Sequence, residues 1–149
     1  MLKCPNMNWT IKTFDELTTR ELYEILKSRA EVFVKEQKIS YVDEDDVDYK
    51  SWHVFAMEKD RVSAYLRAFN DGDGVIKIGR VLTLVHGKGT GTQLMKYAVS
   101  ELKTKTGCQK IIMDAQSHAI SFYQRLGFTI TSEEYLEEGI PHVDMELRV

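Results

Sequence analysis

The segment His86-Gly87-Lys88-Gly89-Thr90-Gly91-Thr92 interleaves glycine with polar and basic residues, after an apolar run and before a helical one. Glycine has no side chain to hold an anion off the backbone, so several amide N–H groups can converge on one guest. The start of the following helix adds positive potential and Lys88 adds a full charge, a combination that suits a diphosphate. Glycines at a strand-to-helix junction also serve a tight turn alone, and glycine content does not separate the two uses. Two other phosphate signatures are missing: the Walker ending Gly-Lys-Ser/Thr and the dinucleotide pattern Gly-x-Gly-x-x-Gly.

The elements that must hold this turn follow from hydrophobic period. Residues 8–13 alternate as a half-buried strand, and Thr18 stands ahead of a helix with Leu22, Ile25, Leu26, Arg29 and Phe33 on one side. From 37 to 50 the period stops and Asp43, Glu44, Asp45, Asp46 and Asp48 crowd a loop with room for one helical turn. Residues 52–58 and 62–69 read as strands joined at Lys59-Asp60, and Asn70-Asp71-Gly72-Asp73-Gly74 reverses the chain into a long strand, 75–85. Leu94, Met95, Ala98, Val99 and Leu102 give the next helix its buried stripe, which Gly107 ends as a cap. Residues 110–115 form a strand parallel to 75–85, 117–126 a short helix closed by Gly127, and 128–131 and 143–147 the last strands. The expected class is α+β: a mixed, largely antiparallel sheet of about six to seven strands with a central parallel strand–helix–strand crossover.

A chain of 149 residues, 43% hydrophobic and without a low-complexity linker, predicts one domain over 1–149, with regular structure from about residue 8. Met7 can serve as an alternative start, leaving 1–6 dispensable. The formal net charge of −3 argues against general nucleic-acid binding. Neither an apolar span nor a secretory leader pattern is visible, so no membrane partner and a cytoplasmic location are expected. Cys4 and Cys108 make no disulfide framework, and Cys108 reads as packing in an apolar strand. The four histidines are scattered without zinc spacing, and neither 43–48 nor 70–74 completes a calcium loop, so no metal is expected.

Gly79-Arg80-Val81 followed by His86 to Met95 resembles motif A of the GNAT acetyltransferase superfamily, whose pattern is Arg/Gln-x-x-Gly-x-Gly/Ala. Gly89 and Gly91 match its two small residues, and His86 stands where Arg or Gln is usual. The run from Ala115 to Phe128 resembles motif B, with its Phe-Tyr-x-x-x-Gly-Phe core at Phe122-Tyr123 and Gly127-Phe128. With Val32 to Gln37 early and Glu138-Gly139-Ile140-Pro141-His142 late, the chain is similar to the ElaA-type branch of that superfamily.

That resemblance implies a GNAT-type fold and transfer of an acetyl group from acetyl-CoA to a primary amine of a small molecule or peptide, by direct attack in a ternary complex. It implies that CoA lies where two central strands splay, with pantetheine pairing to Val81, Leu82 and Thr83 and the diphosphate on His86, Gly87, Lys88, Gly89, Thr90, Gly91 and Thr92. A strand N–H would polarise the thioester carbonyl, and Tyr123 matches the tyrosine that protonates the departing sulfur. Amine attack also needs a proton acceptor, for which Glu36, His118 and His142 are candidates; Glu36 can equally cap a helix or face solvent, and His118 can open the short helix. Arg29, Glu36, Gln37, His53, Gln116, His118 and His142 form the candidate acceptor pocket. The carboxylates of 43–48 with Glu133, Glu134, Glu137 and Glu138 either attract a cationic amine or are solvated faces. A CoA-binding module without turnover and an ATP- or NAD-binding protein are the alternative readings, and monomer and homodimer both remain open.

Overall fold

The computed structural model describes residues 7–38 and 42–149; Cys4 and the stretch 1–6 lie outside the described residues. The chain begins with β1 (Trp9–Thr13) and α1 (Thr19–Arg29). Thr18 starts α1 with a reciprocal cap: its hydroxyl accepts from the Glu21 N–H at 3.0 Å, and the Glu21 carboxylate accepts from the Thr18 N–H at 2.8 Å. The expected helix through Phe33 does not stay α. It widens at Ala30–Glu36 into a π-helical turn closed by Gln37 N–H to Val32 O at 3.0 Å. The extra residue per turn seats Val32 and Phe33 in the core and leaves Gln37 facing a cleft.

The strands β2 (Trp52–Glu58), β3 (Arg61–Asn70) and β4 (Val75–Thr83) form an antiparallel meander, and β1 pairs with β2 at the edge. Helix α2 (Thr90–Thr106) crosses over to β5 (Lys110–Gln116), which lies parallel to β4. Gly107, at φ 66°, ends α2 in the left-handed cap expected of it. After a 3-10 turn at Ser117–Ala119 come α3 (Ile120–Arg125), β6 (Thr129–Ile130), β7 (Tyr135–Glu137) and β8 (Ile140–Arg148). The sheet order is β1-β2-β3-β4-β5-β8-β6, with β7 also on β8.

The mixed, mostly antiparallel sheet with its parallel β4–β5 pair is as expected, with eight strands rather than six or seven. The additional strand is β7, three residues long, too short to leave a period in the sequence. Strand alternation feeds two cores: Val54, Leu66, Ile76, Ile78, Ile111 and Met113 pack with Leu94, Met95, Ala98 and Leu102 of α2, whereas Phe55, Val62, Tyr65 and Leu82 pack with Ile25, Val32 and Phe33. Cys108 is buried in the first, the packing role expected of it. No helix among the described residues is long and apolar enough to cross a membrane.

Candidate active site

The site begins where β4 and β5 part. Their ladder runs from Val75 opposite Lys110 to Ile78 opposite Met113 and stops, although β4 continues to Thr83 and β5 to Gln116. Beyond Ile78 the β4 backbone groups on the β5 side face a gap, an open strand edge inside the sheet. A bulge accompanies the parting: the β3–β4 register slips between Arg67–Gly79 and Tyr65–Leu82, and Arg80 takes a left-handed φ of 53°. The 75–85 strand therefore ends two residues early, and Val85 is exposed.

At the end of that gap the chain turns through Gly87 (φ 79°) and Gly89 (φ 75°) into α2. No side chain caps α2, so the N–H groups of Thr90, Gly91 and Thr92 have neither an intrahelical acceptor nor a capping one. A Cβ on Gly91 would come 3.3 Å from Phe122 Cζ, and Phe122 lines the same space. Open amides, absent side chains and the helix dipole thus converge on one point, as an anion cradle requires. Tyr123 stands across the gap on α3. Only 7% exposed, it still lines the cleft, and its hydroxyl has no hydrogen-bond partner among the described residues. Burial pushes its phenol up to about 12, so it is a proton-bearing group at neutral pH.

The cleft, about 880 Å³, continues past the gap to a polar end. There Gln116 Nε2 donates to Gln37 Oε1 at 3.0 Å, while Gln116 Oε1 lies 2.7 Å from His118 Nε2. His142 lies opposite Gln116 across the β5–β8 ladder and is 8% exposed. Its Nδ1 is 2.7 Å from the Ile140 carbonyl, and its Nε2 is 3.8 Å from Glu137 Oε2.

A profile of the acetyltransferase (GNAT) domain matches residues 14–149. The chain belongs to the GNAT acetyltransferase family. It is 34% identical over 148 residues to a UPF0039 protein of Schizosaccharomyces pombe, covering 97% of this chain and 99% of that one. Among solved structures it resembles an acyl-CoA N-acyltransferase of Pseudomonas aeruginosa (TM-score 0.88, 36% identity, 95% of this chain and 99% of that one). It also resembles ElaA of Escherichia coli (TM-score 0.88, 31% identity, the same coverage). Acyl transfer is the activity of the family.

In this GNAT protein Val81, Leu82, Thr83, His86, Gly87, Gly89, Thr90, Gly91, Thr92 and Tyr123 all line the cleft, as do Gln37, Gln116, His118 and His142. Lys88 does not line it. His86 is exposed, with Nδ1 3.5 Å from Thr83 Oγ1. Glu36 is exposed and away from the cleft, because the π-helical turn directs Gln37 inward in its place.

Arg29 and His53 are corrections to the expected pocket, since both are committed to the interior. Arg29 is fully buried, with Nε 2.7 Å from Asp43 Oδ2, Nη1 2.7 Å from Asp48 Oδ1 and Nη2 3.1 Å from the Asp43 carbonyl. His53 is 1% exposed; Nε2 donates to the Asp48 carbonyl and Nδ1 accepts from the Tyr65 hydroxyl. Its burial, above all, holds the imidazole below its ordinary value.

Part of the carboxylate run is engaged by arginines: Asp43 and Asp48 are buried, while Glu44 and Asp46 are exposed. Arg67 Nη1 and Nη2 clamp both Asp45 oxygens at 2.7 Å, Nη1 also reaches Asp48 Oδ1 at 3.1 Å, and Arg80 Nε reaches Asp43 Oδ1 at 2.8 Å. Three arginines thus neutralise three aspartates, and the Arg67 clamp brings Asp45 down to about 2. The network presents Arg67, Arg80 and Asp45 at the cleft wall, and of these pattern reading did not select Arg67. The available signal was a lone arginine inside the apolar strand 62–69.

Proposed function

We propose that the chain is an acetyl-CoA-dependent N-acetyltransferase acting on a primary amine of a small molecule or peptide. The observation that carries this reading is the Tyr123 hydroxyl, protonated at neutral pH and without a hydrogen-bond partner among the described residues, on the same cleft as the free end of β4 and the uncapped amides of α2. The residues present fit CoA: a diphosphate meets the N–H groups of Thr90, Gly91 and Thr92, and an extended pantetheine arm meets the vacant edge of β4 at Val81, Leu82 and Thr83. The Pseudomonas neighbour's description as an acyl-CoA N-acyltransferase supports the same donor class.

Acetyl-CoA supplies an activated acyl group on a thioester. The protein's part is to orient that carbonyl against β4, where a backbone N–H can take up developing negative charge, and to hold the Tyr123 proton ready for the leaving sulfur. Both the amine and the donor occupy one continuous cleft, which suits direct attack with no covalent protein intermediate.

The test is an acceptor screen that follows free CoA thiol across polyamines, amino sugars, amino acids and peptide amino-termini, run beside thermal shift with CoA, ATP and NAD. CoA is expected to raise the melting temperature, and one amine class to release thiol. Stabilisation by ATP or NAD but not CoA would overturn the reading, and CoA stabilisation without thiol release from any amine would favour a non-catalytic CoA binder.

A further inference from the structure

We infer that His142 is the general base that takes the proton from the acceptor amine, its ring aimed by the Ile140 carbonyl; this rests on the acetyl-transfer reading above. The hairpin of β7 and β8 places it. Glu138 (φ 49°) and Gly139 (φ 73°) make the two-residue left-handed turn that suits the hairpin twist, and Tyr135 falls opposite His142. His142 also lies across from Gln116, the last residue of β5, at the end where β4 and β5 have separated.

The ring is held by two contacts. Tyr135 stacks on it at 6.1 Å between centroids and 19° between planes, and Tyr135 is itself fixed by donating to Asp144 Oδ1 at 2.6 Å. The Ile140 carbonyl can only accept, so Nδ1, 2.7 Å away, carries the proton. Neutral imidazole has one N–H, which leaves Nε2 with a lone pair. The neighbour of Nε2 among the described residues is the Glu137 carboxylate at 3.8 Å, too far for a direct hydrogen bond, so the lone pair is not taken up by it. A ring 8% exposed yet lining the cleft can present that lone pair to a ligand there.

The competing candidates are differently occupied. Gln116 spends its amide N–H on Gln37, so its Oε1 accepts from His118 Nε2; the remaining lone pair of His118, on Nδ1, belongs to a ring exposed to solvent, unlike the buried His142. Glu36 does not reach the cleft. The titratable groups on the elements packed around His142 include Glu137 of β7, Glu138 of the turn, Asp144 of β8, already bonded to Tyr135, Asp114 opposite it on β5, and His118 of the 3-10 turn.

Protons balance through two residues. An alkylammonium gives one proton to His142 Nε2, which passes it to solvent. The freed nitrogen lone pair forms the C–N bond as the C–S bond breaks. The departing sulfur takes a proton from Tyr123, and the second proton lost by nitrogen restores that phenol, giving amide, CoA thiol and one released proton.

The experiment uses the full chain with spermidine, ethanolamine, glucosamine, lysine and a dipeptide amide as amines. For the best of these, His142→Gln is expected to lower kcat/KM by about 100-fold or more and to erase the acid-side fall of the pH profile, with the CoA-induced melting shift retained. Glu137→Gln, at the exposed end of β7, should keep the fold and the CoA-induced melting shift and lower kcat/KM far less than His142→Gln does. Imidazole nitrogen NMR of the wild type reads the tautomer without turnover, and the proton is expected on Nδ1. A wild-type pH profile in His142→Gln overturns the proposal, as does a proton on Nε2; if His142→Gln does not fold, the NMR decides alone, a proton on Nδ1 supporting the proposal and a proton on Nε2 overturning it. A wild type that neither gains stability from CoA nor releases thiol removes the acetyl-transfer reading itself, a different result from an active wild type indifferent to residue 142.

Discussion

Replacing Arg29 by methionine keeps the length of the side chain and removes the only charge on α1 that reaches the aspartate network. In the native protein Arg29, Arg67 and Arg80 face Asp43, Asp45 and Asp48, three charges of each sign. The variant leaves one buried negative charge in excess and strips Asp43 Oδ2 of its 2.7 Å donor. Removing one member of a buried pair costs about 3–5 kcal/mol. Asp43 keeps Arg80 and Asp48 keeps Arg67, which places Arg29→Met at the lower end, about 3 kcal/mol. For a chain of 149 residues that corresponds to a fall of about 6–12 °C in Tm. The pH dependence has a definite sign. Asp45 is held low mainly by its Arg67 hydrogen bonds; at Asp48 burial opposes ionisation, and Arg29 and Arg67 outweigh it. Groups held low in the fold contribute stability above the ordinary carboxylate range, near pH 4, and lose it as pH falls toward about 2. Arg29 touches Asp48 and not Asp45, so the gap between wild type and variant should narrow as pH falls below the ordinary carboxylate range. Urea unfolding at pH 7 and at stepped acid pH measures both effects. A loss below about 1 kcal/mol at pH 7, with unchanged m, would refute the argument that the network is a buried, mutually dependent charge set.

Two further substitutions address the cofactor side. Tyr123→Phe removes a hydroxyl with no partner among the described residues, so stability and CoA affinity should stay near wild type while kcat falls by about 100-fold; equal turnover would remove the leaving-group role. Gly91→Val puts a branched side chain 3.3 Å from Phe122 and over an open amide, and CoA binding measured by calorimetry should weaken by about tenfold or more, with an unchanged Kd counting against the cradle.

Much of the fold was legible because its causes are local. Thr18 with Glu21 marks a helix start, Gly107 a helix end, and alternation over 52–58 and 62–69 a pair of strands, each within a few residues. The glycine turn was legible for the same reason, and its pairing with the Tyr123 segment pointed to the family before any fold was known. The π-helical turn was not legible: Ala30 to Glu36 continues a helical pattern, and core seating of Val32 and Phe33 decides how the turn is wound.

The sequence by itself determined the order of the longer elements, the glycine turn ahead of α2 and the acyl-transfer family. Tertiary structure alone decided which charges are available to chemistry. Asp43 and Glu36 are alike as letters, yet Asp43 meets Arg29 and Arg80 across 14 and 37 residues of chain, and Glu36 meets solvent. Likewise His53 and His142 differ only by what the sheet brings to them: one has both ring nitrogens consumed, and the other keeps a free lone pair beside the cleft. Ionic and hydrogen-bond partners are chosen by through-space distance and burial, and neither quantity is written in the spacing of residues along one strand or helix.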